Sequence, residues 1–164
     1  MFPRQEWYFM KDYRVSEIPC RILGRTNGVK DPLTLFWTAS GLRVRVKASC
    51  LSVTVRADYR DYEPWIDILI DGVRSQRRSL ERGEQSISIF RGCDPQVERE
   101  VMILRDTQAM CGDERMLVQI EGLSLSEDGE LLPVEEPKLY MRLSARCSLA
   151  MLPQGAWLIL QLWA

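Results

Sequence analysis

With 164 residues the chain is long enough for one domain with a substantial core and too short for two ordinary ones. Lys+Arg 22 against Asp+Glu 23, with 46% hydrophobic and 27% charged residues, describes a soluble globular composition and excludes the basic excess that a phosphate backbone attracts, so nucleic acid is not an expected partner. Histidine is absent, which excludes Ser-His-Asp and Cys-His nucleophilic centres and histidine metal sites built from this chain alone, leaving an enzyme only carboxylates, Lys, Tyr or Cys to work with.

Residues 1–17 carry Phe2, Trp7, Tyr8, Phe9 and Tyr13 without a clean period and read as an N-terminal aromatic arm, laid over an open edge of the core or frayed. Arg4, Glu6, Lys11, Asp12 and Arg14 interrupt any apolar run of signal-peptide length, so the chain as written is expected in the cytoplasm, with secretion left open. Cys20, Cys50, Cys93, Cys111 and Cys147 are scattered without a C-x-x-C pair, which favours free thiols and predicts neither a metal site nor a cofactor.

A first strand is expected at Cys20–Arg25, turning at Thr26-Asn27-Gly28, and a second at Leu33–Thr38, where Leu33, Leu35 and Trp37 alternate with Thr34, Phe36 and Thr38. The alternation is plainest at the centre of the chain. Leu42, Val44 and Val46 interleave with Arg43, Arg45 and Lys47, and Leu51, Val53 and Val55 interleave with Ser52, Thr54 and Arg56. Since only Ala48 and Ser49 separate these runs, with Cys50 leading into the second, a tight antiparallel hairpin is the economical expectation.

Trp65–Ile70 ends at Asp71-Gly72, a strong turn signal, and the arginine-dense stretch Val73–Glu81 follows as an exposed strand or loop, its charges suited to an edge. Ser86–Phe90 alternates again. Val97–Thr107 reads as strand through Val101–Leu104, and Met116–Ile120, Gly122–Leu125 and Leu131-Leu132 complete the pattern. Nine or ten short strands and no helical stripe predict an all-β fold, an antiparallel β-sandwich of jelly-roll-like topology.

Laid out in this order, several blocks resemble the N-terminal β-sandwich domain of carbohydrate esterase family 2, in which a jelly-roll-like module precedes an SGNH hydrolase domain. They are Gly24-Arg25-Thr26, the stretch Leu35–Val55, the strand into Asp71-Gly72, Leu104-Arg105-Asp106-Thr107, Ile120-Glu121-Gly122-Leu123, and Gly129 with Leu131-Leu132-Pro133. The resemblance spans roughly residues 20–140 and divides the chain into an arm (1–17), an accessory sandwich domain (18–142) and an apolar tail (143–164). It implies that Lys138–Arg142 opens the strand leading to a catalytic domain whose Gly-Asp-Ser block this chain lacks. The tail's Trp157–Trp163 run falls far short of the roughly 20 residues of a membrane span. It admits a final strand, an exposed apolar end, or a truncated or frame-shifted sequence.

The expected role is therefore non-catalytic: support of an SGNH hydrolase domain, with contact to plant cell-wall polysaccharide left open and a free-standing carbohydrate-binding module as the alternative. No catalytic residue is assigned. Ser40, Ser52, Ser86 and Ser124 have no base to activate them, and the carboxylates Asp58, Asp61, Glu63, Asp67 and Asp71 read as solvated strand and loop positions. For binding, Arg25, Trp37, Tyr59, Tyr62 and Trp65 form the candidate set, because aromatic faces stack on pyranose rings while a guanidinium supplies a planar fork of donors. Each tryptophan also has an ordinary reading as a core residue of a strand.

Overall fold

The computed structural model describes residues 10–108 and 112–135, so most of the expected arm, the 138–142 strand and the 143–164 tail lie outside the described residues. Within them the fold is all-β, with eleven strands in two antiparallel sheets. The strands are β1 (Met10–Arg14), β2 (Arg21–Leu23), β3 (Leu33–Thr34), β4 (Gly41–Lys47), β5 (Leu51–Asp58), β6 (Trp65–Ile70), β7 (Val73–Ser79), β8 (Gly83–Phe90), β9 (Arg99–Arg105), β10 (Leu117–Ser126) and β11 (Glu130–Leu132).

One sheet runs β1-β10-β5-β8, with β3 sharing the β1 flank of β10. The other runs β11-β4-β9-β6-β7, with β2 sharing the β11 flank of β4. The period-two alternation decides what lies between them. Leu42, Val44 and Val46 of β4, Ile66 and Ile68 of β6, and Val101 and Ile103 of β9 are fully buried against Leu51, Val53 and Val55 of β5 and Val118, Ile120, Leu123 and Leu125 of β10. Each such side chain withdrawn from water contributes about 1.5–3 kcal/mol, and both sheets depend on the same layer.

Two expectations about connectivity are overturned. The β4 and β5 runs are not a hairpin: β4 pairs with β2, β9 and β11, β5 pairs with β8 and β10, and the connection arches from one sheet to the other. Ala48, Ser49 and Cys50 are all buried, whereas a two-residue hairpin loop would face water and call for residues at positive φ. The strand expected over Leu33–Thr38 stops at Thr34, because the carbonyls of Leu35 and Phe36 turn away from the sheet to accept N–H groups of Arg105.

Other differences are smaller. Residues 10–14 of the expected arm form β1, paired to β10 from Met10↔Ser126 to Arg14↔Gly122, and Val15 beyond it is core. The two runs expected around Glu121 are one strand, β10, interrupted by a bulge between Ile120 and Gly122. A Cβ at Gly122 would stand 2.3 Å from the carbonyl oxygen of Tyr13, so the absent side chain is what admits β1 to this position. At Asp71-Gly72 the expected turn is present, with φ of 52° and 79°, the positive pair of a tight hairpin between β6 and β7.

Candidate functional site

Strand register brings the candidate residues to one end of the sandwich. Trp65 starts β6 beside Ser79 and next to the Ile66↔Arg105 pair. Gly41 starts β4 beside Leu23 and Leu104, and Asp58 ends β5 beside Leu117. The Tyr59–Pro64 loop joins the two sheets across this end. Arg25 follows Gly24, whose Cβ position would lie 2.9 Å from the Cβ of Ser40, in the turn that carries Trp37.

The five candidates are brought to the same end without forming a single cluster. Tyr62 and Trp65 line a cavity of ≈ 360 Å³ together with Asp61, Glu63, Arg77, Thr107, Gln108 and Met116. Arg77 lies over the Trp65 ring, 4.6 Å from its centroid, and pairs with Asp106, so one face of that indole is already occupied by a cation. Tyr59 is half-buried beneath Arg82, 4.8 Å from the ring centroid. Trp37 and Tyr62 remain open to solvent, 53% and 50% exposed, and Phe36 beside Trp37 is 38% exposed, so the core reading of Trp37 does not hold. Arg25 is exposed.

Two residues absent from the candidate set hold this end together. Asp113 accepts the backbone N–H groups of Arg60, Asp61 and Arg115, at 3.0 to 3.3 Å, and that of Tyr62 at 3.4 Å. The Asp61 N–H foremost, then those of Arg60, Tyr62 and Arg115, hold its carboxyl below the usual carboxylate range, while burial acts in the opposite direction. The Tyr59–Pro64 loop is thus folded around a single carboxylate.

Arg105, 2% exposed, donates from Nη1 to the Leu35 carbonyl at 2.6 Å and from Nε to the Thr107 carbonyl at 2.8 Å. Burial pushes the guanidinium pKa down from its ordinary value. Sequence carried a signal for Arg105, since it falls on the inward phase of β9 after Val101 and Ile103, where a charge is out of place. Asp113 gave no such signal, because the loop it holds is bound through backbone N–H groups of Arg60, Asp61 and Tyr62, more than 50 residues away. Among the described residues, no group of three His, Cys, Asp or Glu is placed to hold a metal ion.

No family model and no curated protein matches this chain. Solved structures do match. An acetyl xylan esterase from the rumen bacterium Butyrivibrio proteoclasticus superposes with a TM-score of 0.74 at 29% identity, over 77% of this chain and 34% of that one. A family two carbohydrate esterase from Cellvibrio japonicus matches at a TM-score of 0.64 and 22% identity, over 78% of this chain and 36% of that one. Another, from Clostridium thermocellum in complex with cellohexaose, matches at 0.60 and 18% over 72% and 34%. The sandwich has the fold of part of the family two carbohydrate esterase chains. This chain spans about a third of the length of these carbohydrate esterases, so their sandwich part is what it shares with them.

Proposed function

We propose that this chain is the non-catalytic sandwich module of a family 2 carbohydrate esterase, the part that precedes and supports an SGNH hydrolase domain, and that its aromatic end meets acetylated plant polysaccharide. The match to about a third of each esterase chain, with most of this chain inside it, carries the reading. The chemistry of the residues agrees. With no histidine in the chain, the Ser-His pair that commonly activates a serine for ester hydrolysis cannot be built from it alone.

The alternative, a free-standing carbohydrate-binding module, draws on the exposure of Trp37 and Tyr62, since an indole or phenol left half in water at a loop-rich end is a ready stacking surface for sugar rings. Affinity electrophoresis of the purified chain on xylan, glucomannan and cellulose separates the two. A supporting module with a glycan-facing end is retarded weakly on acetylated xylan or glucomannan, and an independent binding module strongly on one of them. Hydrolysis of an acetylated chromogenic ester by the purified chain would overturn the non-catalytic reading.

A further inference from the structure

The two aromatic features of this end belong to different elements: Phe36 and Trp37 sit on the turn after β3, and Trp65 begins β6 on the cavity wall. One side chain touches the supports of both. Arg105 Nη1 donates to the Leu35 carbonyl at 2.6 Å and to that of Phe36 at 3.3 Å, and Nε donates to the Thr107 carbonyl at 2.8 Å. Thr107 Oγ1 in turn accepts the Trp65 N–H at 2.9 Å, and the Asp106 N–H donates to the Trp65 carbonyl, also at 2.9 Å.

The backbone of Arg105 completes the link. Its N–H donates to the Ser40 carbonyl and its carbonyl accepts the Ala39 N–H, both at 2.8 Å, while Ser40 N–H returns to the Trp37 carbonyl at 3.0 Å. The Trp37 turn is therefore closed at both ends by one residue of β9.

Packing alone does not explain a guanidinium here. Its hydrogen-bond partners are all carbonyls, none of them a carboxylate, and Nη2 is buried without a hydrogen-bond partner among the described residues. A buried charge without a counter-ion costs stability that an apolar residue of similar volume on the inward phase of β9 would not. What the guanidinium does and an apolar side chain cannot is fix two separate backbone segments in one geometry, through N–H groups set at fixed angles in a plane.

We propose that Arg105 is a positioning residue that couples the exposed Phe36–Trp37 turn to the Thr107–Trp65 wall of the cavity, so that both are presented in one fixed arrangement to a glycan. The proposal rests on the glycan-facing reading of this end for its ligand, and on geometry alone for the coupling. A rigid aromatic platform loses little conformational freedom on binding, which is why positioning matters to affinity even though Arg105 itself is out of a ligand's reach.

The test uses the full chain labelled with 5-fluorotryptophan, the Trp37 and Trp65 fluorine resonances being assigned from Trp37→Phe and Trp65→Phe. In Arg105→Met, with strand circular dichroism retained, both resonances shift or broaden, and retardation on acetylated xylan or glucomannan falls as far as it does in Trp37→Ala, about tenfold in dissociation constant. Thr107→Val, which removes only the side-chain link to Trp65, moves the Trp65 resonance and leaves that of Trp37 in place. Should Arg105→Met fail to fold, Arg105→Lys supplies the same reading, with a single ammonium unable to serve Leu35, Phe36 and Thr107 together. Unchanged Trp37 and Trp65 resonances in a folded Arg105 variant, or movement of Trp37 alone, would overturn the coupling. A wild-type chain that migrates unretarded on every polysaccharide removes the glycan, and the fluorine resonances still decide whether Arg105 couples the two elements.

Discussion

Two short connections, Ala48–Cys50 and Asp71-Gly72, look alike on the page and do opposite things. Each joins two strand-forming runs across two or three positions. The second reverses the chain within a sheet, with Asp71 and Gly72 both at positive φ. The first never reverses within a sheet at all. Its residues are small and buried, and it carries the strand direction across the core into the facing sheet. Alternation tells which face of a strand is apolar, and it is silent about the partner. The chemistry of the connecting residues is what separates a hairpin from an arch.

The arch is held by its own set of hydrogen bonds. Ser126 Oγ accepts the N–H groups of Ser49 and Cys50 at 3.2 and 3.1 Å and donates to Asp128 Oδ1, which also accepts the Ser49 hydroxyl at 3.0 Å. Replacing Ala48 and Ser49 by Asn and Gly, the ideal hairpin pair, puts an amide into a site with no exposure and loosens the backbone. A loss of about 3 kcal/mol in urea unfolding is expected, and a gain in stability would show that a hairpin was preferred after all. Ser126→Ala leaves the Cys50 N–H without its acceptor and the Ser49 N–H with only a 3.5 Å contact to Asp128 Oδ1, and costs about 2 kcal/mol by the same measurement, with glycan retention unchanged at the far end of the sandwich.

The hairpin is less costly to disturb. Asp71→Ala keeps the turn but loses a carboxylate that accepts the Glu100 N–H at 2.8 Å, in a conformation alanine enters less readily than Asp, for about 1 kcal/mol. The smallest effect distinguishes the two connections by acid. The Ser126 hydroxyl, followed by the Ser49 hydroxyl and N–H, holds the Asp128 carboxyl below the usual range against its desolvation. A depressed folded-state value contributes stability that is fully present above the ordinary carboxylate pKa of about 4 and is lost as pH falls below it. The midpoint of thermal unfolding is therefore expected to hold steady from about pH 7 to 5 and to drop below about pH 4, less steeply in Asp128→Asn than in the unaltered chain. Equal slopes would remove Asp128 from the arch's energetics.

Much of the sandwich was legible because its strands obey a period of two with the apolar phase inward, from Leu42 to Val55 and again from Val101 to Ile103. The places that escaped sequence reading share a cause: a group distant in sequence captures backbone that would otherwise have stayed in a strand or loop of ordinary kind. Arg105 takes the carbonyls of Leu35 and Phe36 and ends β3, leaving Trp37 in water instead of in the core. Asp113 shapes the Tyr59–Pro64 loop through N–H groups that carry no side-chain identity. The aromatic residues of the candidate set could be nominated because their chemistry shows in the letter code. The residues that hold them could not, apart from the misplaced charge on β9.

The arch also sets the order in which the chain can become a protein. Because β4 leans on β9 and β5 on β10, Val44 meets Val101 and Val53 meets Leu123, and neighbours along the polypeptide wait for partners that leave the ribosome more than fifty residues later. Apart from the β6–β7 ribbon, the β2–β4 pair and the side of β5 facing β8, little can settle before β9 and β10 emerge, which predicts slow folding and a stretch of synthesis in which sticky, unmatched strands need shielding.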